Sequence, residues 1–392
     1  AGLESTDEHM KQMNEMQKKP GKILRKDGDP EGAFAAAKKV IERSYSAPFL
    51  PHNPMEPISC FAHITDEKAL FVAPIQIPDM MKQNIISNLD LQIEKVDMKL
   101  ARMGGGFGRR GYGHYIIEVG LISKKMKAPV KLIYTREDDM TNGIYRPTYM
   151  VKFRAAIDDK NNVTAIHVKG GGIPENAIHE NRFPAGAFEN YLAEGWEINS
   201  NITIGAFRAP RSNFIASAEQ SFLDEVAETI GKDPIDFRIE LLKKAKEKPV
   251  GKNNEYDADR YIGVLELVKQ KSNWSKENNK NLKRGVAAYF CHNSYAAHVV
   301  DVVMKNGQPI VQKVVSALDC GIVVNPEGAK NMVEGAIVDG IGNALYGGLR
   351  FEKGVPMQKN FNQYRMIRLR EAPKKIEVHF VQNTIAPTGL GE

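Results

Sequence analysis

Three short segments of this 392-residue chain bring together residue types that chemistry can use. The first is Met103-Gly104-Gly105-Gly106-Phe107-Gly108-Arg109-Arg110. Glycine tolerates positive φ and close backbone approach, so successive N–H groups in such a run can converge on an anion. A helix predicted just after it adds partial positive charge at its N-terminus, and Arg109 and Arg110 are suited to fork onto phosphate oxygens. The run is not a Walker A loop, which needs Gly-Lys-Ser/Thr, and it lacks the Rossmann spacing. Alone, a glycine-rich turn serves structure as readily as anion binding. The second segment, Gly205-Ala206-Phe207-Arg208-Ala209-Pro210, sets an arginine in a tight loop, either facing a ligand or capping local carbonyls. The third is Pro387-Thr388-Gly389-Leu390-Gly391-Glu392, where glycines let the backbone pass close to a neighbour and present a carboxylate.

Segments so far apart need a scaffold that returns on itself. Residues 1–30 are polar and lysine-rich with Pro20-Gly21 and Asp27-Gly28-Asp29-Pro30 as breakers, which predicts a linker. Apolar spacing after Asp29-Pro30 predicts a helix from Pro30 to Tyr45. Cys60–Ile64 and Ala69–Ala73 read as a hairpin, Pro78–Leu89 as a helix, and Ile93–Met98 as a strand entering the glycine loop. A helix over Tyr112–Lys125, a strand over Val130–Tyr134 and a hairpin of Tyr149–Ile157 with Val163–Lys169 follow. Helices are expected over Ser212–Ile230 and Pro234–Lys244, and the Lys-, Asn- and Gly-rich stretch 245–256 marks a boundary. Beyond it, strands at Gly285–Phe290, Ala297–Met304 and Ile310–Leu318 lead to a helix over Pro326–Tyr346. Strands and helices in mixed order, with hairpins, imply α+β domains rather than a doubly wound sheet. The expected division is a linker and helix over 1–47, a first domain over 48–250 and a second over 251–392.

Composition narrows the classes. With 42% hydrophobic and 26% charged residues the balance is that of an ordinary globular protein, and no run of eighteen or more apolar residues predicts a membrane span. The net charge of +6 sits largely in Leu241–Lys248 and Lys276–Arg284, read as solvated surface. No basic patch is interleaved with aromatics, so nucleic-acid binding is not expected. Cys60, Cys291 and Cys320 lie 231 and 29 residues apart without a Cys-x-x-Cys pair, which argues against a zinc ribbon, a disulfide framework or an iron–sulfur cluster held by this chain alone. His52, His114, His179, His292 and His298 show no metal-ligand spacing.

In this order the three segments resemble the cofactor loop, substrate loop and catalytic turn of the molybdenum hydroxylases, the xanthine dehydrogenase and aldehyde oxidase family. Ala73-Pro74-Ile75-Gln76, about thirty residues before the glycine loop, matches the strand end where that family keeps a glutamine on a molybdenum oxo group; an amide donates there without bringing charge. The resemblance implies cofactor-binding roles for Gln76, Gly104, Gly105, Gly106, Phe107, Gly108, Arg109 and Arg110. It implies catalytic roles for Gln76, for Arg208 facing substrate, and for Glu392 as general base. The cofactor implied is a molybdenum–molybdopterin dinucleotide of the cytosine form, with the metal held by the pterin dithiolene and by no protein ligand. Arg109-Arg110-Gly111 stand where xanthine-oxidising members carry Gly-Lys-Glu, so the purine contact is missing. His52-Asn53-Pro54-Met55-Glu56-Pro57, Asp319-Cys320-Gly321-Ile322-Val323-Val324-Asn325-Pro326 and Val333-Glu334-Gly335-Ala336 look most like the isoquinoline 1-oxidoreductase beta-subunit and membrane-associated aldehyde dehydrogenase branch.

That resemblance implies two molybdopterin-binding-type domains with mixed sheets and packed helices. It implies oxidation of an N-heterocycle or an aldehyde with water-derived oxygen, and electron transfer to a separate 2Fe–2S subunit. The resembling branch works in periplasmic or membrane-associated settings; Ala1–Ser5 opens polar, which predicts no leader within this stretch and leaves the compartment open. The family's Gly-Gln-Gly cofactor segment and the proline after its glutamate are not found, so an internal fragment is expected. Two alternatives stand beside this reading: a non-catalytic module of the same fold, and a generic phosphate- or nucleotide-binding protein.

Overall fold

The computed structural model describes residues 3–274 and 282–391. Glu392 lies outside the described residues, as does most of the lysine-rich stretch 276–284. The N-terminal region is a helix, α1 (Thr6–Lys18), and not the expected linker. Its charges mask an apolar stripe: Met10, Met13 and Met16 recur every third residue, and Met13 is fully buried with Phe49, Tyr145 and Trp196. Strand Lys22–Asp27 then pairs with Asn190–Glu197 at a sheet edge. The helix predicted from Pro30 stops early. Helix α2 (Pro30–Ala35) is capped by Asp29, which accepts the Gly32 N–H at 3.1 Å, but Lys39–Ala47 is a strand. Antiparallel pairing with Thr148–Ile157 satisfies its backbone and overrides the local helical spacing.

A small lobe follows. Ser59–Ile64 and Ala69–Ala73 form the expected hairpin, Val130–Ile133 adds antiparallel to the first and Val96–Leu100 parallel to the second. Helices α3 (Pro78–Leu89) and α4 (His114–Met126) close one face, burying Met81, Ile85, Tyr115 and Val119 against Phe71. Helix α5 (Arg136–Thr141) follows with Thr135 and Asp138 in a reciprocal capping box. The parallel strands Ala69–Ala73 and Val96–Leu100 end side by side, Ala73 opposite Leu100. Gln76 and the glycine loop therefore leave the same sheet edge, the carboxyl end of parallel strands where α/β proteins commonly bind ligands.

The main body has two mixed sheets with helices between them. The first runs Lys22–Asp27, Asn190–Glu197, Val163–Ile173, Thr148–Ile157, Lys39–Ala47, with one parallel pairing, between its second and third strands. The second runs Lys283–Cys291, Ser294–Lys305, Gln308–Asp319, Lys375–Phe380, the last pair parallel. Between them lie α6 (Ser212–Thr229), α7 (Pro234–Glu247) and α8 (Ala258–Lys271). Phe214 and Phe222 of α6 stack on Tyr149 and Phe153 at 5.4 and 5.2 Å between centroids, and each such buried aromatic is worth roughly 1.5–3 kcal/mol of burial. The same core reaches Val286, Val299 and Val315 of the second sheet, so it runs unbroken across residue 250. Helix α9 (Pro326–Tyr346), capped by Asn325 on the Gly328 N–H at 3.0 Å, crosses to face the small lobe. Asp319 is locked by Arg260 of α8 at 2.7 and 3.0 Å and by Asn383 at 2.9 Å, which organises the turn before α9.

Candidate active site

The glycine loop and the Arg208 loop are bonded backbone to backbone: the Arg208 N–H donates to the Phe107 carbonyl at 2.9 Å. Gly108 makes that approach possible. Its φ is +104°, and a Cβ there would stand 1.8 Å from the Ala206 carbonyl oxygen, so no other residue fits. Phe107, Ala209 and Arg211 also take positive φ without being glycine, a local strain held by the packing around them. Gln76 lies against the loop. Its Oε1 accepts the Gly108 and Arg110 N–H groups at 3.2 Å each, and its own N–H donates to the Arg110 carbonyl at 3.0 Å. With the oxygen engaged, Gln76 has only its Nε2 donor left for the cleft it lines.

Contrary to expectation, Arg109 and Arg110 do not present their charges to a ligand and are not free to fork onto phosphate. Both are buried, at 1% and 0% exposure, on the far side of the loop. Arg110 donates to the carbonyls of Gly105, Glu56 and Pro57 at 2.9, 3.0 and 3.3 Å. Arg109 pairs with Asp139 at 3.4 Å and donates to His114. Burial, then the Arg109 charge beside it, pushes His114 down to about 4, so its ring is neutral and can accept that bond. The two guanidiniums hold the loop from behind. Glu56 completes the brace by accepting the Gly104 N–H.

Arg208 lines the cleft, but its donors are engaged. Nε donates to the Gly391 carbonyl at 2.8 Å and Nη2 to the Met332 carbonyl at 3.4 Å, while Nη1 stands 3.7 Å from Asp339 of α9. Burial raises Asp339 above the usual carboxylate range, opposed by the Arg208 charge. The arginine thereby ties the 389–391 turn and α9 to the substrate-side loop. The result is one open cleft of about 710 Å³ whose walls include Gln76, Gly105–Gly108, Arg208, Met332 and Gly391. Gly391 is the neighbour of Glu392, which lies outside the described residues.

The sequence reading did not single out Tyr112, Asn331 and Met332 as cleft residues. Tyr112 carried a faint signal as the lone aromatic between Gly111 and Gly113; Met332 looked like one more apolar helix residue. His292 lines the cleft and His298, half-buried, meets Ser316 at 2.7 Å; among the described residues no cluster of His, Cys, Asp or Glu has metal-holding geometry.

Comparison with known proteins fits this geometry. The molybdopterin cofactor-binding domain matches residues 15–241, and a second domain of the same description matches residues 220–373. The chain belongs to the molybdopterin cofactor-binding family. Among its relatives is a membrane-bound aldehyde dehydrogenase [pyrroloquinoline-quinone] of Gluconacetobacter polyoxogenes, 28% identical over 95% of this chain and 52% of that protein. Another is the isoquinoline 1-oxidoreductase subunit beta of Brevundimonas diminuta, 25% identical over 86% of this chain and 45% of its own length. The chain thus spans about half the length of the curated relatives it matches. Quinoline 2-oxidoreductase from Pseudomonas putida 86 superposes with a TM-score of 0.76 over 100% of this chain and 76% of its own, at 11% identity, a likeness of fold alone.

The cleft residues fit a molybdopterin-type group on this structure's own terms. No hydrogen bond among the described residues engages the N–H groups of Gly105, Gly106 and Phe107, so the cleft wall carries successive unpaired backbone donors. A Cβ at Gly106 would stand 2.5 Å from Gln76 Oε1, so only glycine keeps the amide and the loop in contact. Donors of this kind suit oxo and phosphate oxygens.

Proposed function

We propose that this chain is the cofactor-binding part of a molybdenum-dependent oxidoreductase. Its substrate would be an aldehyde or an N-heterocycle of the isoquinoline kind, hydroxylated at the electrophilic carbon with oxygen from water. The observation that carries this reading is convergence: Gln76, the Gly105–Phe107 backbone, Arg208 and Gly391 line one cleft from four distant parts of the chain. Of the two cofactor-binding domains proposed, residues 48–250 contribute Gln76, the glycine loop and Arg208 to the cleft and residues 251–392 contribute Met332 and Gly391. An aldehyde dehydrogenase and an isoquinoline 1-oxidoreductase subunit among the relatives support both substrate classes alike.

When bound, the molybdopterin dinucleotide (here taken as the cytosine form) supplies the two-electron redox centre and a Lewis-acidic metal. The chain's own residues do the rest. Gln76 Nε2 and the unpaired N–H groups of the glycine loop offer neutral donors to its oxygens. Arg208 orients the 389–391 turn through the Gly391 carbonyl, and Glu392 is the general base that takes the proton from the attacking oxygen. One C–H bond and one water become one C–OH with release of two protons and two electrons. The electrons leave to a 2Fe–2S partner subunit, since three widely separated cysteines cannot hold a cluster.

Glu392→Gln in the complete subunit tests this. Turnover is expected to fall by at least about a thousandfold while bound molybdenum stays unchanged, in the range seen when a general base is removed. Loss of molybdenum together with activity would make the residue structural. Absence of molybdenum from the wild-type protein would favour a non-catalytic module of the same fold.

A further inference from the structure

Ala206, the residue two before Arg208, is held on both of its peptide groups by side chains from other segments. Its N–H donates to the Tyr112 hydroxyl at 2.6 Å. Its carbonyl accepts from His52 Nε2 at 2.9 Å. His52 is 5% exposed, tilts against Phe207 at 5.1 Å between ring centroids, and its Nδ1 faces the Ile144 carbonyl at 3.1 Å. The same Ala206 carbonyl is the atom against which Gly108 packs. Its position therefore decides how far the Arg208 loop stands from the glycine loop, and hence where Arg208 holds the Gly391 turn.

We infer that His52 and Tyr112 are positioning residues which clamp the Ala206 peptide and so set the gap between the two loops of the cleft. This rests on the oxidoreductase reading for its catalytic consequence, though not for the clamp itself. The alternative, that the two merely fill space, is set apart by stereochemistry. In a His52→Gln variant the amide nitrogen takes roughly the place of Nε2 and can still donate to Ala206. In His52→Asn it takes the place of Nδ1 and reaches only towards Ile144. Space filling would penalise asparagine and glutamine alike; a clamp penalises asparagine.

The experiment uses the complete subunit with its cofactor and its iron–sulfur partner, in four forms: wild type, Tyr112→Phe, His52→Asn and His52→Gln. Hydrogen–deuterium exchange over 203–211 and 104–111 is expected to speed at least about tenfold in Tyr112→Phe and His52→Asn, and to stay near wild type in His52→Gln. With molybdenum content and KM unchanged, kcat should fall about 10- to 100-fold in the first two variants, the cost expected of a misplacement near 1 Å, and recover in the third. Unchanged exchange in Tyr112→Phe and His52→Asn overturns the clamp. Faster exchange with unchanged kcat overturns the positioning role. Exchange needs no turnover, so a wild-type protein that oxidises nothing would sink the oxidoreductase reading while the clamp was still judged.

Discussion

Gln76 shows how a side chain becomes a one-way device. Two loop N–H groups hold its oxygen, and the donor that remains carries no charge. Gln76→Glu keeps the acceptor for Gly108 and Arg110 but replaces the donor with a second oxygen. The complete subunit carrying it is expected to fold with an unchanged melting temperature and to lose at least about tenfold in kcat, read by steady-state kinetics against molybdenum content. Gly108→Ala tests the opposite property. A methyl 1.8 Å from a backbone oxygen, at φ +104°, has nowhere to go. Destabilisation of roughly 2–4 kcal/mol is expected in urea denaturation, from strain and a forced loop shift. The glycines and Gln76 were legible because their types constrain the backbone or the charge directly. Arg109 and Arg110 were misread because an arginine in a loop looks the same from the sequence whichever side of the loop it faces. Burial decided it, and a buried guanidinium is an excellent clasp for carbonyls.

Helix α6 binds the two sheets together and carries an unusual group on its inner face. Burial pushes the Glu219 carboxyl up to about 8, against the Gln220 amide and the Arg238 and Arg182 charges that favour its ionised form. Beside it, Gln220 accepts from Arg238 at 2.8 Å and from the Ala288 N–H at 3.0 Å, tying α6 to α7 and to the second sheet. In the unfolded chain the carboxyl titrates near its ordinary value, so between about 4.5 and 8 the folded state binds the extra proton. Its contribution is therefore full at low pH and is lost as the pH rises through 8. Glu219→Gln should leave the melting temperature nearly unchanged at pH 5 and raise it by several degrees at pH 8.5, measured by calorimetry. Among the elements, amphipathic segments such as α3 and α6 were legible because their period is local, and α9 because Asn325-Pro326 marks its start. Lys39–Ala47 was not, because its partner strand lies over a hundred residues away and decides its conformation. Asn190–Glu197 and Lys375–Phe380 escaped because each is held by a parallel partner, 25 and 62 residues back, with no hairpin turn to announce the pairing. Helix α8 escaped for a simpler one: the polar stretch before it was read as a boundary, although Tyr261, Leu265 and Val268 carry helical spacing.

The cleft is a product of how the small lobe and the main body meet; His52, buried against the Ala206 loop, reports on that assembly, and His298 on the second sheet. Burial pushes His52 and His298 down to about 4 from an ordinary 6.5. In the unfolded chain both bind protons near 6.5, so the unfolded state gains protons first as the pH falls. The stability they permit is complete above about 6.5 and is lost as the pH falls towards 4. A loss of about 2–3 kcal/mol between pH 7 and 4.5 is expected, most of it from the buried His52 and less from the half-buried His298, seen as a falling melting temperature. His298→Asn, which keeps a nitrogen near Ser316, should flatten that slope. A slope unchanged in the variant would remove His298 from the account. Described helices include none long and apolar enough to cross a membrane.

Local chemistry in the chain was enough to specify the glycine loop, the amide at the strand end, the Phe-Arg loop and the α+β class, because φ freedom, hydrogen-bonding inventory and periodicity belong to a few adjacent residues. Folding in three dimensions alone decided which of these groups meet. Only there does Arg208 reach Gly391, do Arg109 and Arg110 turn inward, and do His52 and Tyr112 close on Ala206. The reason is physical: burial, desolvation and hydrogen bonds between distant segments depend on packing, and packing is not written at any one position.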